Sequence, residues 1–353
     1  MIKLSYPIMG DYHVPAQYLL SNILKVEIIT PPPITSKTIE LGTKYSPEFV
    51  CTPFKYTLGT MIESIEKGAS AVIQLGGGCR YGYYGEVQEK ILKDLGYDVI
   101  LINLVTKGKV SVKRVSREFK KISPRFSKIK ALYYGFITFK MIKYMDSIDE
   151  YIRENIGFEL EENSFDSLKL EMLNSFSKIK GYFDLKNKYK YYAEEFQKLK
   201  VRKPDKPLKI GIVGELYTVM EPFSNYFLEK ELAKNNIEIR RFTNAYYLLF
   251  QKRKESKLIM SLAEKYIKYP MGADAADNIA RTKYLCDEGY DGIIHIKSSF
   301  CTPEIGAMPI INKIASEYEV PVIYFSFDSN TSETGIKTRL EAFYDMLEMR
   351  QNK

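Results

Sequence analysis

Short apolar runs alternate with helical patterns over residues 2–105, give way to a different texture, and resume from residue 208 to the end. In the first series Ile2–Pro7, Val26–Thr30, Ala71–Leu75 and Val99–Val105 read as strands. Helices over Val14–Leu24, Tyr56–Lys67 and Gly82–Leu95 separate them. In the second, strands over Leu208–Val213, Ile237–Phe242, Gly292–Ile296 and Val320–Phe325 are spaced by helices over Phe223–Asn235, Ala245–Tyr266, Ala276–Glu288 and Pro303–Tyr318. A last helix covers Ile336–Met349. Strands that alternate with helices predict parallel sheets covered by helices, an α/β fold.

The stretch between them, Val110–Leu199, is rich in Lys, Tyr, Phe, Glu and Leu and poor in glycine. Ile142–Ile152 and Phe176–Tyr192 have the spacing of amphipathic helices. The expected organisation is an N-terminal α/β domain over 1–109, a helical insertion over 110–202 and a C-terminal α/β domain over 203–353, with Lys203-Pro204-Asp205-Lys206-Pro207 as the linker. The two α/β halves look like distant copies, with Cys79 and Cys301 after corresponding strands. Ligands of open α/β sheets bind beyond the carboxyl ends of the strands. Two such edges facing across a cleft would bring Cys51, Cys79 and Cys301 together.

A length of 353 residues suits two domains rather than one core. No apolar run approaches the ~20 residues of a membrane helix, and Met1–Pro7 has no signal-peptide character. A cytoplasmic protein without a membrane partner is expected. The net charge of +8 comes largely from the Lys/Tyr-rich middle. No nucleic-acid-binding motif accompanies it, so a solvated helical surface is the better reading and no nucleic-acid partner is expected. Four cysteines are too few for a disulfide scaffold and point to metal binding or catalysis.

Three of those cysteines stand where helices begin. Cys51-Thr52-Pro53-Phe54 and Cys301-Thr302-Pro303-Glu304 share one local sentence, and Cys79 ends the run Leu75-Gly76-Gly77-Gly78-Cys79. The N–H groups and dipole of a helix start favour the thiolate, the form that binds metal. Three thiolates do not close a structural zinc site; zinc with His13 or a water as the fourth ligand stays open. A [4Fe-4S] cluster on three cysteines would leave one iron free for substrate, although the spacings match neither compact ferredoxin run. The alternative for a free cysteine is a small buried hydrophobe. Cys286, inside the helical pattern Arg281–Glu288, is expected to be that.

Gly76-Gly77-Gly78 lacks the lysine and hydroxyl of a P-loop. Close backbone approach to a cluster makes Gly77 and Gly78 candidate cofactor-binding residues; a tight strand-to-helix turn is the alternative. Glu215, Tyr217 and Asn225 follow the first strand of the C-terminal domain, and Asp328, Ser329, Thr331, Glu333 and Thr334 follow its last. Tyr217 and Asn225 are candidate cofactor-binding residues, and helix capping explains Thr334 equally well. Glu215 and Glu304 are candidate proton donors, with dipole complementation the other reading of Glu304. His295, in the strand before Cys301, is expected to point into the core.

Cys51-Thr52-Pro53-Phe54-Lys55, Gly76-Gly77-Gly78-Cys79-Arg80, Gly214-Glu215-Leu216-Tyr217, Phe300-Cys301-Thr302-Pro303-Glu304 and Thr338–Phe343 together resemble the 2-hydroxyacyl-CoA dehydratase family, especially its stand-alone, activase-related members. The resemblance implies two flavodoxin-like domains with a [4Fe-4S] cluster held by Cys51, Cys79 and Cys301. It implies an ATP-hydrolysing activase partner, itself an iron–sulfur protein, that delivers one low-potential electron. In the dehydratases that electron reduces a CoA thioester to a ketyl radical and the 2-hydroxyl leaves. Related members reduce other difficult small-molecule substrates. Those dehydratases are heterodimers, so a homo- or heterodimer is expected here. Two other readings compete: a non-catalytic iron–sulfur electron carrier, and a metal-free two-domain protein that binds a small ligand.

Overall fold

The first sheet is built from short strands around the wholly buried Ala71–Gln74. The computed structural model describes residues 2–76, 79–106, 109–269 and 271–352. In chain order the first elements are β1 (Lys3–Ser5), α1 (His13–Ile23), β2 (Glu27–Ile28), α2 (Ser36–Tyr45), α3 (Thr52–Glu66), β3 (Ala71–Gln74), a 3-10 turn (Arg80–Tyr83), α4 (Tyr84–Asp94) and β4 (Ile100–Asn103). A small antiparallel ribbon, β5 (Val105–Thr106) and β6 (Lys109–Val110), then leads to α5 (Val112–Ile122) and the long α6 (Lys128–Asn155). The chain divides into two compact units, Met1–Lys140 and Met141–Lys353. The division falls inside α6, within the helical segment expected over 110–202.

In the first unit the strands run in the order β2-β1-β3-β4, all parallel, with Leu4 opposite Ala71 and Val72 opposite Leu101. Leu4, Ile73 and Ile102 form a core with Leu20 of α1 and with Phe119 and Ile122 of α5. Thus the start of the helical segment serves the first sheet. Helix α2 had no counterpart in the sequence reading: its ten residues include Gly42 and few apolar positions. It forms because Thr35 and Thr38 make a reciprocal capping box and because glycines let it lie against α3. A Cβ on Gly42 would stand 1.8 Å from the Lys55 carbonyl oxygen, and one on Gly59 2.0 Å from that of Thr38.

The second unit continues through α7 (Ser164–Phe176), α8 (Tyr182–Lys198), β7 (Leu208–Gly214), α9 (Leu216–Met220), α10 (Leu228–Ala233), β8 (Ile237–Arg241), α11 (Lys252–Ala263), α12 (Ala275–Asp287), β9 (Gly292–Ser298), α13 (Thr302–Glu317), β10 (Val322–Phe327) and α14 (Glu333–Gln351). Its strand order is β8-β7-β9-β10, again all parallel. Numbered within each sheet, both orders are 2-1-3-4, the flavodoxin-like order. One face buries Ile210, Ile212, Ile294, Ile296 and Phe325 against α10 and α14. The other buries Val213 and Ile293 against α11, α12 and α13.

Two expected helices are broken. Phe176–Tyr192 divides because α7 stops at Phe176 and α8 starts at Tyr182, where Asp184 accepts the Lys180 N–H (2.8 Å). Phe223–Asn235 divides because Tyr226 and Phe227 are both left-handed (φ 56° and 55°), so only Leu228–Ala233 is α-helical. Among the described residues no helix is long and apolar enough to cross a membrane.

Candidate functional site

Both Cys-Thr-Pro stretches do the same work locally. Cys51 caps the start of α3 and Cys301 the start of α13, each with extended backbone (ψ 153° and 91°). Proline follows in the first turn, where a missing N–H breaks no helical hydrogen bond. Each thiol therefore sits at the positive end of a helix. Their places in the fold differ, however. Helix α13 follows the third strand of its sheet, β9, whereas α3 precedes the third strand of its own, β3. The topological counterpart of Cys301 is Cys79, after β3. The counterpart of Cys51 is Asp274, the residue before α12. Asp274 is buried and ion-paired with Lys252, which also meets Asp277 at 3.0 Å. Burial pushes the Asp274 carboxyl up while Lys252 pulls it down.

The thiols divide into two kinds. Cys51, Cys79 and Cys301 are half-buried and Cys286 is buried, none of them in a disulfide. Burial pushes the Cys286 thiol up to about 11, so it stays protonated and inert, as expected of a core residue. Cys51 Sγ shares a short hydrogen bond with the Tyr84 hydroxyl. With the phenol donating, that bond favours the thiolate. Tyr84 is itself buried, its ring edge-on to Phe54 at 4.8 Å. Gln88 fixes α4 behind it, donating to Thr57 Oγ1 (2.8 Å) and accepting from Gln74. Gly77 and Gly78 lie outside the described residues.

In the second unit a polar network runs under Cys301. Strand β9 puts Ile294 and Ile296 on one face and His295 and Lys297 on the other. His295 Nε2 meets Glu304 Oε2 at 2.9 Å, and both side chains are buried. His295 thus points into the core, as expected, while its Nδ1 has no hydrogen-bond partner among the described residues. Asn278 of α12 donates to both Glu304 oxygens (3.0 Å) and to the Gly214 carbonyl, and accepts the Gly214 N–H (3.1 Å). Gly214 is irreplaceable by shape: at φ 148° its absent Cβ would stand 1.8 Å from the Ile296 carbonyl oxygen. The network ties the ends of β7 and β9, the switch point of the sheet, to the first turn of α13. Burial pushes the Lys297 ammonium below the ordinary lysine range, against the pull of Cys301, Glu304 and Asp328.

Glu215 follows β7 directly and caps α9, accepting from Tyr217 N, Thr218 N and Thr218 Oγ1. Burial lifts its carboxyl to about 7, against those hydrogen bonds. Tyr217 is buried in α9. Asn225 braces the backbone, donating to the Thr218 carbonyl (2.7 Å) and accepting the Leu228 N–H (3.1 Å). Asp328 accepts from Ser299 Oγ (2.9 Å), so β10 is anchored to the segment before Cys301. The cap of α14 is Ser332, which accepts the Gly335 N–H, and not Thr334. Glu333 pairs with Lys337 in the exposed first turn.

Sequence reasoning missed Asn278, Lys297 and Asp274. The signal for Lys297 was present. Two polar residues two apart in the apolar run Gly292–Ser298 must share a face, and here that face leads to Cys301.

Among the described residues no group of three His, Cys, Asp and Glu side chains is gathered as a metal site. The thiols of each unit still suit a thiophilic centre: Cys51 at the start of α3 and Cys79 before the 3-10 turn in the first, Cys301 at the start of α13 in the second, set apart from the sealed Cys286. The family model of the 2-hydroxyglutaryl-CoA dehydratase D-component matches residues 165–347, from α7 into α14. The match includes Glu215, Asn278, Cys301 and Glu304, and leaves Cys51 and Cys79 outside. No curated protein matches the chain. Because the matched segment covers more than half of its length, the chain belongs to the 2-hydroxyacyl-CoA dehydratase family.

Proposed function

We propose that this protein is an iron–sulfur component of a dehydratase-type reaction, with Cys51, Cys79 and Cys301 as the ligands of a [4Fe-4S] cluster. The observation that carries the reading is the division of the thiols: Cys51 and Cys301 half-buried at α-helix starts, Cys79 half-buried before a 3-10 turn, and Cys286 sealed in a helix. When bound, the cluster supplies one-electron chemistry at a low potential, with an iron open for a small substrate. An ATP-hydrolysing activase is the proposed electron donor, and an acyl-CoA is one candidate substrate for reduction or dehydration.

The chain's own groups divide the remaining work. Tyr84 orients the Cys51 sulfur through its hydroxyl. Lys297, held at the end of β9, places positive charge near Cys301. Glu215 is the proposed proton donor, because a carboxyl lifted to about 7 can both hold and release a proton near neutral pH. Glu304, the other candidate donor, has both oxygens engaged by Asn278 and His295, which fixes the first turn of α13 beneath Cys301.

Anaerobic purification with iron, sulfide and EPR analysis tests this reading. About four irons per chain with matching sulfide are expected, and reduction by an activase only while ATP is hydrolysed. Stoichiometric zinc without sulfide would overturn the cluster; full reduction without ATP would overturn the partner.

A further inference from the structure

The first turns of α6 are apolar on two sides. Toward the sheet, Ala131 and Tyr134 pack against the core of the first unit, with the Tyr134 ring centre 6.0 Å from that of Tyr18, and Ile137 is wholly buried. Toward solvent stand Ile129 (82% exposed), Leu132 (78%), Tyr133 (54%) and Phe136 (46%). Their positions are i, i+3, i+4 and i+7, so they form one stripe about 10 Å long. Single exposed apolar residues are ordinary, but a contiguous group of large ones marks a surface that something else covers.

The charge around the stripe has one sign. Between Glu118 and Asp146 the sequence holds seven Lys and Arg and no acidic residue. Lys128 and Lys130 are both exposed, one turned to each side of Ile129 by the 100° step of the helix. The Lys140 ammonium lies 5.6 Å from the centre of the Phe136 ring. A solvated helical surface, the sequence reading of this basic region, accounts for the lysines and leaves the aliphatic side chains among them without a purpose.

The geometry also narrows what can cover it. A second copy would set like charges face to face, as a two-fold interface pairs one patch with itself. A stable protein partner needs about 800 Å² on each side, more than two turns of one helix present, and a groove to receive a convex stripe. A bilayer rich in anionic lipid asks for less. A plane takes a convex helix without a groove, a few apolar side chains enter the headgroup region, and the lysines meet negative charge whatever their direction. Tyrosine suits that boundary, and lysine stems can lie along apolar groups while the amine stays in water.

We propose that α6 docks this protein on an anionic lipid surface, with Ile129, Leu132, Tyr133 and Phe136 entering the headgroup region. Such a contact needs no membrane-spanning helix, and it departs from the expectation of no membrane partner, which rested on the lack of one. It goes beyond the cluster reading and does not depend on it.

The chain contains no tryptophan, so Leu132→Trp puts a single fluorescent reporter on the stripe. Titrating that chain with vesicles of equal phosphatidylcholine and phosphatidylglycerol should shift its emission to shorter wavelength, and brominated acyl chains should quench it. Cosedimentation of the unaltered chain should be at least about tenfold stronger with those vesicles than with phosphatidylcholine alone. Charge by itself would hold any basic protein there, so the apolar contact is tested separately. Ile129→Ser combined with Leu132→Ser keeps every charge and should weaken binding at least about tenfold, with the far-UV circular dichroism unchanged because both side chains are exposed. Undiminished binding by that folded variant, or an unshifted emission at vesicle saturation, would reduce the contact to charge and overturn the proposal. Absence of binding by the unaltered chain would overturn it in favour of a protein partner, and a dimer that the double variant dissociates would give the stripe to a second copy.

Discussion

The two units share a strand order but differ in what they place at the starts of equivalent helices. In the first unit the helix before the third strand begins at Cys51, and the segment after that strand begins at Cys79. In the second the same two places hold Asp274, locked to Lys252, and Cys301. One architecture thus carries two thiols in one copy and a thiol plus a closed ion pair in the other. That asymmetry leaves two half-buried thiols in the first unit and one in the second. It also shows that the repeated Cys-Thr-Pro words arose at non-equivalent positions, so their likeness reflects a shared local need, a thiol at a proline-primed helix start, and not the repeat of the fold. The family match, confined to 165–347, covers the unit with the single half-buried cysteine.

The largest expected effect breaks or keeps this division of thiols. Cys51→Ala, Cys79→Ala and Cys301→Ala should each lose most of the bound iron in anaerobic preparations, by iron and sulfide assay. Cys286→Ala should keep it, since burial holds that thiol protonated and away from solvent. Equal loss from all four would show that the helix-start cysteines are not special. Asp274→Cys would sharpen the comparison by making the second unit like the first.

Much of this was legible in the sequence. The strands were readable because sheets covered on both faces need continuous apolar runs, and Ala71–Gln74 and Gly292–Ser298 supply them. The helix-start cysteines were readable because Thr-Pro after a cysteine marks a first turn. What escaped depends on contacts distant in sequence. Helix α2 owes its place to two glycines lying under carbonyls of a different helix, which periodicity cannot report. The break at Tyr226-Phe227 is a backbone conformation that no residue-type preference would assign to two aromatics. Asn278 joins Gly214 to Glu304 over 64 and 26 residues of chain, so nothing local announces it.

The next effect separates the stabilities of the two sheets. Gly214→Ala pushes a Cβ into the Ile296 carbonyl, and Gly59→Ala pushes one into the Thr38 carbonyl. Each should cost about 3 kcal/mol, as overpacking against backbone does. Hydrogen exchange read by mass spectrometry should show the damage in β7–β10 peptides for the first and in α2, α3 and β1–β4 peptides for the second. Gly135→Ala, with open space around its Cβ and a helical position, should be neutral or stabilising by about 0.5 kcal/mol. If both damaging variants loosen both sheets equally, the two units do not unfold separately and their energetics cannot be compared one by one.

The smallest effect is a pH dependence confined to the second unit. Glu215 ionises near 4.5 when unfolded and at about 7 in the folded chain, chiefly because it is buried, with Asp274 adding to the rise. The folded state therefore holds this proton more tightly than the unfolded state does. Its contribution to stability is fully present below pH ~4.5 and is lost as the pH rises through about 7. Three donors to the carboxylate, from Tyr217 and Thr218, oppose the rise, and the net shift from 4.5 to about 7 makes the loss on the order of 3 kcal/mol. Glu215→Gln should flatten that part of the stability curve, measured by urea unfolding at pH 5 to 8 and by exchange in peptides of β7 and α9. Peptides of β1 and β3, in the other unit, serve as the internal reference for that exchange. A slope that survives Glu215→Gln would mean that another group titrates in this range, with Asp274 next in line because its carboxyl is also raised. Glu215 would then lose its standing as the proton donor.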